Sequence, residues 1–240
     1  MAKTATTMKR KGFLFEGMFS FPNLFLAAKR AMRGKKKKKD VASFFFDLEY
    51  ELLSLQQELL SGLWKPSNYR LFEVREPKCR QIAAVGFRDR IVHHAIFLQL
   101  EPLFDQSLIP DTYACRKGKG VHLALKQAQF FTRHYPYFLK SDIASFFDSV
   151  DHPVLKTLLC HKLKDPQLLQ LLFRIIEHPL PGLAEGKGMP IGNLSSQHFA
   201  NLYLDPLDHY IRHELKCSAY IRYMDDFVLW GENKSQLHEW

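Results

Sequence analysis

The stretch Tyr223-Met224-Asp225-Asp226 places two adjacent carboxylates between two apolar runs. Residues 218–222 before it and 227–230 after it are rich in β-branched and aromatic residues, which predicts two strands joined by a hairpin. A solvated surface turn is the plainer interpretation of an Asp-Asp pair, but polar turns rarely lie between strands this apolar. Two acids at a hairpin tip repel each other, and a bound divalent cation would relieve that repulsion.

A third carboxylate, Asp142, follows an apolar segment at 137–143 that predicts another strand. An acid at a strand end is usually only a cap, but three carboxylates converge if this strand and the acidic hairpin share a sheet. Mg²⁺ prefers oxygen ligands, and two such ions can clamp the attacking and leaving oxygens of a phosphoryl displacement. Because adjacent strand residues point to opposite faces, we expect Asp142 and Asp225 to bridge the metals and Asp226 to be the weaker ligand.

The charge of the chain is concentrated near its start. The 240 residues carry a net charge of +9, and within the first forty residues twelve Lys and Arg face only two acids. The five lysines at 35–39 are interpreted either as a mobile solvated run or as a phosphate-binding patch, and the local density of charge favours the patch. Four scattered cysteines argue against a zinc module or disulfide framework and fit a reducing compartment. No apolar run of about 18 residues occurs, so we expect no membrane span.

Hydrophobic periodicity and turn residues predict the remaining elements. Helices are expected at 23–32, 41–61, 87–101, 153–164, 166–177 and 194–215, and strands at 69–74 and 81–85. A basic, glycine-containing loop at 116–120 precedes a further helix that begins near Val121, and backbone N–H groups at a helix start suit phosphate.

Several ordered blocks together resemble a reverse transcriptase. Asp142 with the following Phe146-Phe147, then Gly-Met-Pro-Ile-Gly at 188–192, then the acidic hairpin are similar to the palm of that family. Residues 87–92 and 101–104 resemble the fingers of bacterial reverse transcriptases. The resemblance extends from about Trp64 to Trp230. It implies an α+β right-hand polymerase fold and an RNA-directed DNA polymerase that uses two Mg²⁺ ions, with Mn²⁺ as a substitute.

The same resemblance implies a domain organisation. Residues 1–40 would be a basic N-terminal segment, 41–135 the fingers and 136–240 the palm. Because the chain ends about ten residues past the acidic hairpin, we expect the palm to be incomplete and the primer grip and thumb to be missing.

Individual roles follow from the resemblance position by position. It implies that Asp142, Asp225 and Asp226 are the catalytic aspartates and that the backbone carbonyl of Ile143 is a further metal ligand. Phe147 resembles the aromatic steric gate that packs against the sugar and excludes a 2′-hydroxyl group.

Other residues are implied to bind the nucleotide or the nucleic acid. Lys78 and Arg80, with Arg88 as a third member, resemble fingers residues that hold the triphosphate; surface cations on a hairpin are the alternative. Further nucleotide-binding candidates are Ile191, Gly192 and Gln197. The candidate nucleic-acid contacts are Arg116, Lys117, Lys119, Tyr223 and Met224.

A finer assignment rests on the block at 191–197. Most reverse transcriptases begin this block with Gln-Gly and end it with Ser-Pro, whereas here Ile191 replaces the glutamine and Gln197 the proline. This departure resembles the enzymes of diversity-generating retroelements, as does Tyr-Ala-Cys-Arg at 113–116. Isoleucine offers only packing where glutamine can hydrogen-bond, and the loss of a polar contact should loosen discrimination.

The retroelement resemblance implies a set of partners. Such enzymes copy a template-repeat RNA, misincorporate opposite adenines and work with a small, basic, pentameric accessory protein. The implied substrates are template RNA, a primer, the RNA–DNA hybrid and deoxynucleotides. The implied location is the cytoplasm, with a bacterial or phage origin.

Three alternatives stay open. The chain could be a reverse transcriptase of group II intron, retron or phage-defence type. It could also be a non-catalytic RNA-binding remnant whose N-terminal charge binds phosphate. An RNA-dependent RNA polymerase is disfavoured by Phe147 and by the fingers motifs.

Overall fold

The computed structural model describes residues 10–75 and 79–240 of the chain. The elements of its first half are α1 (Phe15–Met18), α2 (Phe21–Met32), α3 (Lys39–Phe46), α4 (Leu48–Leu60), β1 (Arg70–Arg75), β2 (Cys79–Ala84), α5 (Phe87–Asp105) and α6 (Val121–His134). Those of its second half are β3 (Tyr137–Asp142), α7 (Phe146–Ser149), α8 (His152–Lys162), α9 (Pro166–Ile176), α10 (Leu194–His209), a π-helical turn (Tyr210–Glu214), β4 (Tyr220–Tyr223), β5 (Asp226–Gly231) and α11 (Lys234–Glu239). The predicted mixture of helices and strands is confirmed.

Helix α2, which lies within the basic N-terminal segment 1–40, contributes to the main hydrophobic core. Its apolar residues Leu24, Ala27 and Ala28 are fully buried, and the helix packs on α5. Lys29 and Arg30 lie on its exposed side. Spacings of three and four residues place one stripe of a helix against the core, and a net-charge count does not register such a stripe.

Two predicted helices are interrupted. The helix expected over 41–61 is divided into α3 and α4 at Asp47, whose φ of −110° and ψ of 36° depart from helical values. Aspartate has a lower helix propensity than most of its neighbours here, although the Asp47 side chain makes no capping hydrogen bond. The helix expected to reach 215 ends at His209, and the chain continues as the π-helical turn to Glu214.

The central sheet has the strand order β3-β5-β4, with both pairs antiparallel. Leu229 of the middle strand lies opposite Leu139 on one side and Tyr220 on the other. Helix α6 covers one face, where Phe131 packs against Trp230 with ring centroids 5.3 Å apart. The sheet therefore holds β3 and the β4–β5 hairpin in one rigid layer.

A separate two-stranded unit consists of β1 and β2, and it is called the fingers hairpin because it lies in the segment 41–135 that is predicted to form the fingers. Its register pairs Arg70 with Ala84 and Leu71 with Ala83. Side chains of adjacent residues on such a hairpin point to opposite faces, so it presents two different surfaces. None of the helices in the described residues is long and apolar enough to cross a lipid bilayer.

Candidate active site

The register of the central sheet brings the acidic strand ends together. Asp142, the last residue of β3, lies directly opposite Asp226, the first residue of β5. The backbone N–H of Ile143 donates to the carbonyl oxygen of Asp225 at 3.3 Å, which joins the end of β3 to the hairpin turn. The shared sheet on which the predicted convergence depends is therefore present.

A cleft of about 480 Å³ opens beside these acids. Its walls come from the β1–β2 hairpin, the end of β3 and the loop at 188–192, and they include Arg80, Asp142, Phe147, Ile191 and Asp225. The cleft is large enough for a nucleotide-sized ligand, since small-molecule sites commonly measure about 300–1,000 Å³. Six of the residues predicted to form the site line this one cavity, the sixth being Ile143.

Burial, and after it the closeness of the carboxylates, shapes the electrostatics of the cleft. Burial raises the pKa of Asp225 above its usual range, and the charges of Asp142 and Asp226 raise it further. A backbone hydrogen bond and the charge of Arg80 oppose this rise in pKa. Carboxylates that disfavour each other's ionised form suit a divalent cation, which would stabilise both charges.

Protein side chains alone do not supply all the ligands that such a cation needs. Within the described residues, no three His, Cys, Asp or Glu side chains are gathered tightly enough to hold a metal ion. Asp142 and Asp225 face the cleft, whereas Asp226 does not line it and lies 3.7 Å from the ammonium group of Lys140. The residues fit a cation held by two carboxylates and completed by water or substrate oxygens, which is how Mg²⁺ is usually bound.

The loop at 188–192 is fastened to the residues that follow Asp142. The N–H of Met189 donates to the carbonyl of Phe147 at 2.7 Å, and that of Gly188 to the carbonyl of Val150 at 2.8 Å. Gly188 has a φ of +87°, and a Cβ there would overlap the side chain of Leu183. These bonds hold the half-buried ring of Phe147 in the wall of the cleft.

Gly192 is the point where this loop meets the fingers hairpin. Its φ is +97°, and a Cβ placed on it would lie 3.1 Å from Cγ2 of Ile82. Only glycine adopts this backbone conformation without strain, and the close approach leaves little room for a side chain. The glycine therefore lets the fingers hairpin pack closely on the loop at 188–192.

Not every predicted site residue reaches the cleft. Lys78 lies outside the described residues. Gln197, half-buried on α10, is absent from the cleft lining in the described part of the chain. In the hairpin, Tyr223 is 39% exposed and available to a ligand, whereas Met224 has a φ of +58° and packs against the main core.

The basic side chains predicted to contact the nucleotide or the nucleic acid differ in whether they are already bound to other groups of this chain. The side chain of Arg116 is only 9% exposed and donates to Asp105 Oδ1 at 2.5 Å and to Thr112 Oγ1 at 2.6 Å. Arg88 donates to Glu58 at 2.6 Å. Both guanidinium groups therefore tie together parts of this chain. Lys119 donates to the carbonyl of Pro110 at 2.8 Å, and Lys117 is exposed.

A buried ion pair behind the acidic hairpin was not anticipated from the sequence. Arg222 and Asp208 are both fully buried, and Arg222 donates from Nε and Nη2 to the two carboxylate oxygens at 2.7 and 2.6 Å. Nη1 of Arg222 donates to the carbonyl of Met224 at 2.9 Å and to Asn201 Oδ1 at 3.1 Å. Tyr220 donates its hydroxyl to Asp208 at 2.7 Å.

This network supports the residue that gives the hairpin its shape, because it holds the carbonyl of Met224, whose φ is positive. The available signal was a charged residue, Arg222, inside the apolar run 219–222. Charged side chains are almost never fully buried unless they are paired.

The chain resembles several known proteins. Its residues 65–240 match the family described as "Reverse transcriptase (RNA-dependent DNA polymerase)". Protein YkfC of Escherichia coli (strain K12) is 28% identical over 209 residues, which cover 80% of this chain and 54% of that protein. The group II intron-encoded protein LtrA of Lactococcus lactis subsp. cremoris is 25% identical over 173 residues, which cover 68% of this chain and 28% of that protein. The chain thus spans about half or less of the length of these relatives.

Solved structures agree on the fold. A chain of a partial Cas6-RT-Cas1–Cas2 complex superposes with a TM-score of 0.56 and 22% identity, and the match covers 92% of this chain and 38% of that one. The predicted α+β right-hand polymerase fold is confirmed at this level. Every lining residue of the cleft lies within the matched residues 65–240. The site and the family match therefore refer to the same part of the molecule. The chain belongs to the reverse transcriptase (RNA-dependent DNA polymerase) family.

Proposed function

We propose that this chain carries the nucleotidyl-transfer centre of an RNA-directed DNA polymerase, with fingers at 41–135 and palm at 136–240. The reaction is attack of a primer 3′-hydroxyl on the α-phosphate of a deoxynucleotide, with release of pyrophosphate. The observation that carries the proposal is the single cleft that joins Asp142 and Asp225 of the palm to Arg80 of the fingers hairpin. Two carboxylates beside a cation are what a metal-assisted transfer to a triphosphate requires.

Asp142 and Asp225, with the backbone carbonyl of Ile143, are proposed to hold two Mg²⁺ ions, for which Mn²⁺ can substitute. When bound, these ions supply the charge stabilisation that an in-line phosphoryl displacement needs. The raised pKa of Asp225 supports this assignment, because a cation would relieve the repulsion that contributes to it. Asp226 is proposed to be the weaker ligand, since Lys140 lies 3.7 Å away and the side chain does not line the cleft.

The remaining residues of the cleft position the nucleotide. Arg80 is proposed to hold the triphosphate, and Lys78 is proposed as its neighbour in this role. Phe147 is proposed to pack against the sugar and to exclude a 2′-hydroxyl, a role supported by its ring in the cleft wall. Ile191 would contact the nucleotide by packing alone, because its side chain has no hydrogen-bonding group.

The subtype is proposed to be that of a diversity-generating retroelement, which makes cDNA with errors at template adenines. Ile191 in the cleft wall and Gln197 on α10 support this proposal. The proposed partners are a template RNA, a primer and a small basic accessory protein. A group II intron reverse transcriptase is the second candidate, and the similarity to the intron-encoded protein LtrA favours it.

Primer extension on an RNA template tests both levels of the proposal. The protein, as this chain and as the longest natural polypeptide that contains it, is supplied with Mg²⁺, the four deoxynucleotides and the accessory protein. We expect extension that is abolished by Asp225→Asn and retained by Asp148→Asn, a matched control at an exposed carboxylate in the same cleft.

Sequencing of the products distinguishes the subtypes. Errors concentrated at template adenines support the retroelement assignment, whereas accurate extension favours the intron type. Absence of extension from the longest polypeptide would reject the catalytic function and leave the RNA-binding remnant.

A further inference from the structure

A second cavity lies on the opposite side of the fingers hairpin from the catalytic cleft. Leu71 and its cross-strand partner Ala83 line the catalytic cleft, whereas the neighbouring pair, Arg70 and Ala84, lines the second cavity. This arrangement follows from the alternation of side chains along a strand. The two-stranded hairpin therefore separates the two cavities.

Four cations converge on the second cavity. They come from the loop between α2 and α3, from β1 and from α5, and they are Lys35, Lys38, Arg70 and Arg90. Among the described residues that line this cavity, Asp40 is the single acid. Its Oδ1 accepts a hydrogen bond from the backbone N–H of Val41 at 3.0 Å. Among the described residues, none of the four cations forms an ion pair with a carboxylate.

The cations of this cluster repel each other. Burial lowers the pKa of Lys35, the charges of Arg90 and Lys38 lower it further, and Asp40 opposes them. Burial also lowers the pKa of Arg90; Asp40 opposes this effect and Arg70 adds to it. Because one carboxylate does not balance four cations, a multiply charged anion would stabilise the cluster.

The size of the cavity selects the kind of anion. At about 160 Å³ it is smaller than the 300–1,000 Å³ typical of small-molecule sites, so it suits one phosphate group better than a whole nucleotide. Basic surface continues from it in two directions. Lys39 adjoins it beyond Lys38, and Lys29, Arg30 and Arg33 line a neighbouring cavity together with His94, which lies one turn after Arg90 on α5. A cavity for one phosphate with basic surface on both sides suits a polyanion.

We propose that this cluster of four cations, the rear phosphate site, binds a backbone phosphate of RNA outside the catalytic cleft. The choice of RNA as the polyanion rests on the proposed function, whereas the anion site rests on the cluster itself. The phosphate enters the cavity, and the sugars and bases lie along the basic surface to either side. Such a strand passes behind the fingers hairpin and does not meet the nucleotide in the cleft.

The test is RNA binding without catalysis, measured by fluorescence anisotropy with a labelled single-stranded RNA and no Mg²⁺ or nucleotide. The variant Lys35→Gln with Lys38→Gln removes two cations from exposed or half-buried positions in a loop. The matched control is Lys36→Gln with Lys37→Gln, which removes the same charge from the same run but from residues that do not line the cavity. Asp225→Asn serves as a second control and should bind RNA normally even though it is inactive.

We expect the Lys35 and Lys38 variant to bind RNA on the order of tenfold more weakly at 0.1 M salt, and its salt slope to fall by about 0.7, which corresponds to the one phosphate that the site neutralises. The Lys36 and Lys37 control should change affinity less than twofold. Equal losses in both variants would mean diffuse attraction and would overturn the site. Unchanged RNA binding in the Lys35 and Lys38 variant would also overturn it and would redirect the search to an acidic protein partner. Because the assay needs no polymerisation, its outcome is independent of whether primer extension succeeds.

Discussion

The ion pair between Arg222 and Asp208 is expected to stabilise the acidic hairpin, and removing either charge alone should be severely destabilising. Asp208→Asn is nearly isosteric, so it removes the negative charge without opening a cavity. It leaves the fully buried guanidinium of Arg222 without a counter-charge. Arg222→Met removes the positive charge and leaves a buried carboxylate that keeps, among the described residues, only the hydroxyl of Tyr220 as a side-chain donor.

The magnitude follows from the contacts. Asp208 accepts three side-chain hydrogen bonds at 2.6 to 2.7 Å, two of them from the guanidinium. Breaking one side of a buried ion pair costs roughly 3–5 kcal/mol, because the partner charge stays buried. That is a large share of the roughly 5–15 kcal/mol that stabilises a typical domain. The double variant removes both charges, so it should be less destabilised than the sum of the two single variants.

Urea unfolding of the full chain, followed by circular dichroism, measures this double-mutant cycle. We expect a coupling energy of roughly 2 kcal/mol or more between Asp208→Asn and Arg222→Met, within the range seen for residues in contact. Tyr210→Phe, at an exposed position between the two on the chain, is a matched control and should change the unfolding free energy by less than about 0.5 kcal/mol. Additive single effects, or a coupling energy near zero, would refute the reasoning that the two charges depend on each other.

Three further predictions concern the cleft and the buried core. Gly192→Ala should destabilise the chain by roughly 1–2 kcal/mol in urea unfolding, because its φ is +97° and Ile82 is close; an unchanged midpoint would contradict this. Burial lowers the pKa of His198 to about 4, so between about pH 4 and 6.5 the unfolded chain binds the extra proton and stability falls with acidification. His198→Phe, which keeps the stack on Phe97, should therefore reduce the stability lost between pH 7 and pH 5 by about 2 kcal/mol, and an equal loss in both proteins would exclude the histidine as the cause. Mg²⁺ should raise the thermal midpoint of the wild-type protein but not of Asp225→Asn, and equal shifts would argue against a cation at this residue.

Much of the fold was accessible from local sequence patterns. The amphipathic stripe of α9 and the β-branched strands around the acidic hairpin were predicted correctly in kind and nearly in length, because burial of one face imposes a period on the sequence. The acidic hairpin could be predicted for the same reason, since its two flanking strands are short and adjacent in the chain. The break between α3 and α4 at Asp47 was missed, because the apolar spacing continues across it and a local pattern does not record a change of direction.

By itself, the sequence predicted the candidate residues for the chemistry: Asp142 and Asp225 from their local context, and Phe147 and Arg80 through the resemblance to reverse transcriptases. Only the tertiary structure decided which side chains share a space. Asp142 meets the hairpin because β5 pairs with β3 across more than eighty residues of chain, and Arg116 is occupied by Asp105 because a loop folds back on α5. The partner of Arg222 and the cations behind the fingers hairpin were likewise hidden, since contacts between distant segments depend on packing and leave no periodic signal in the sequence.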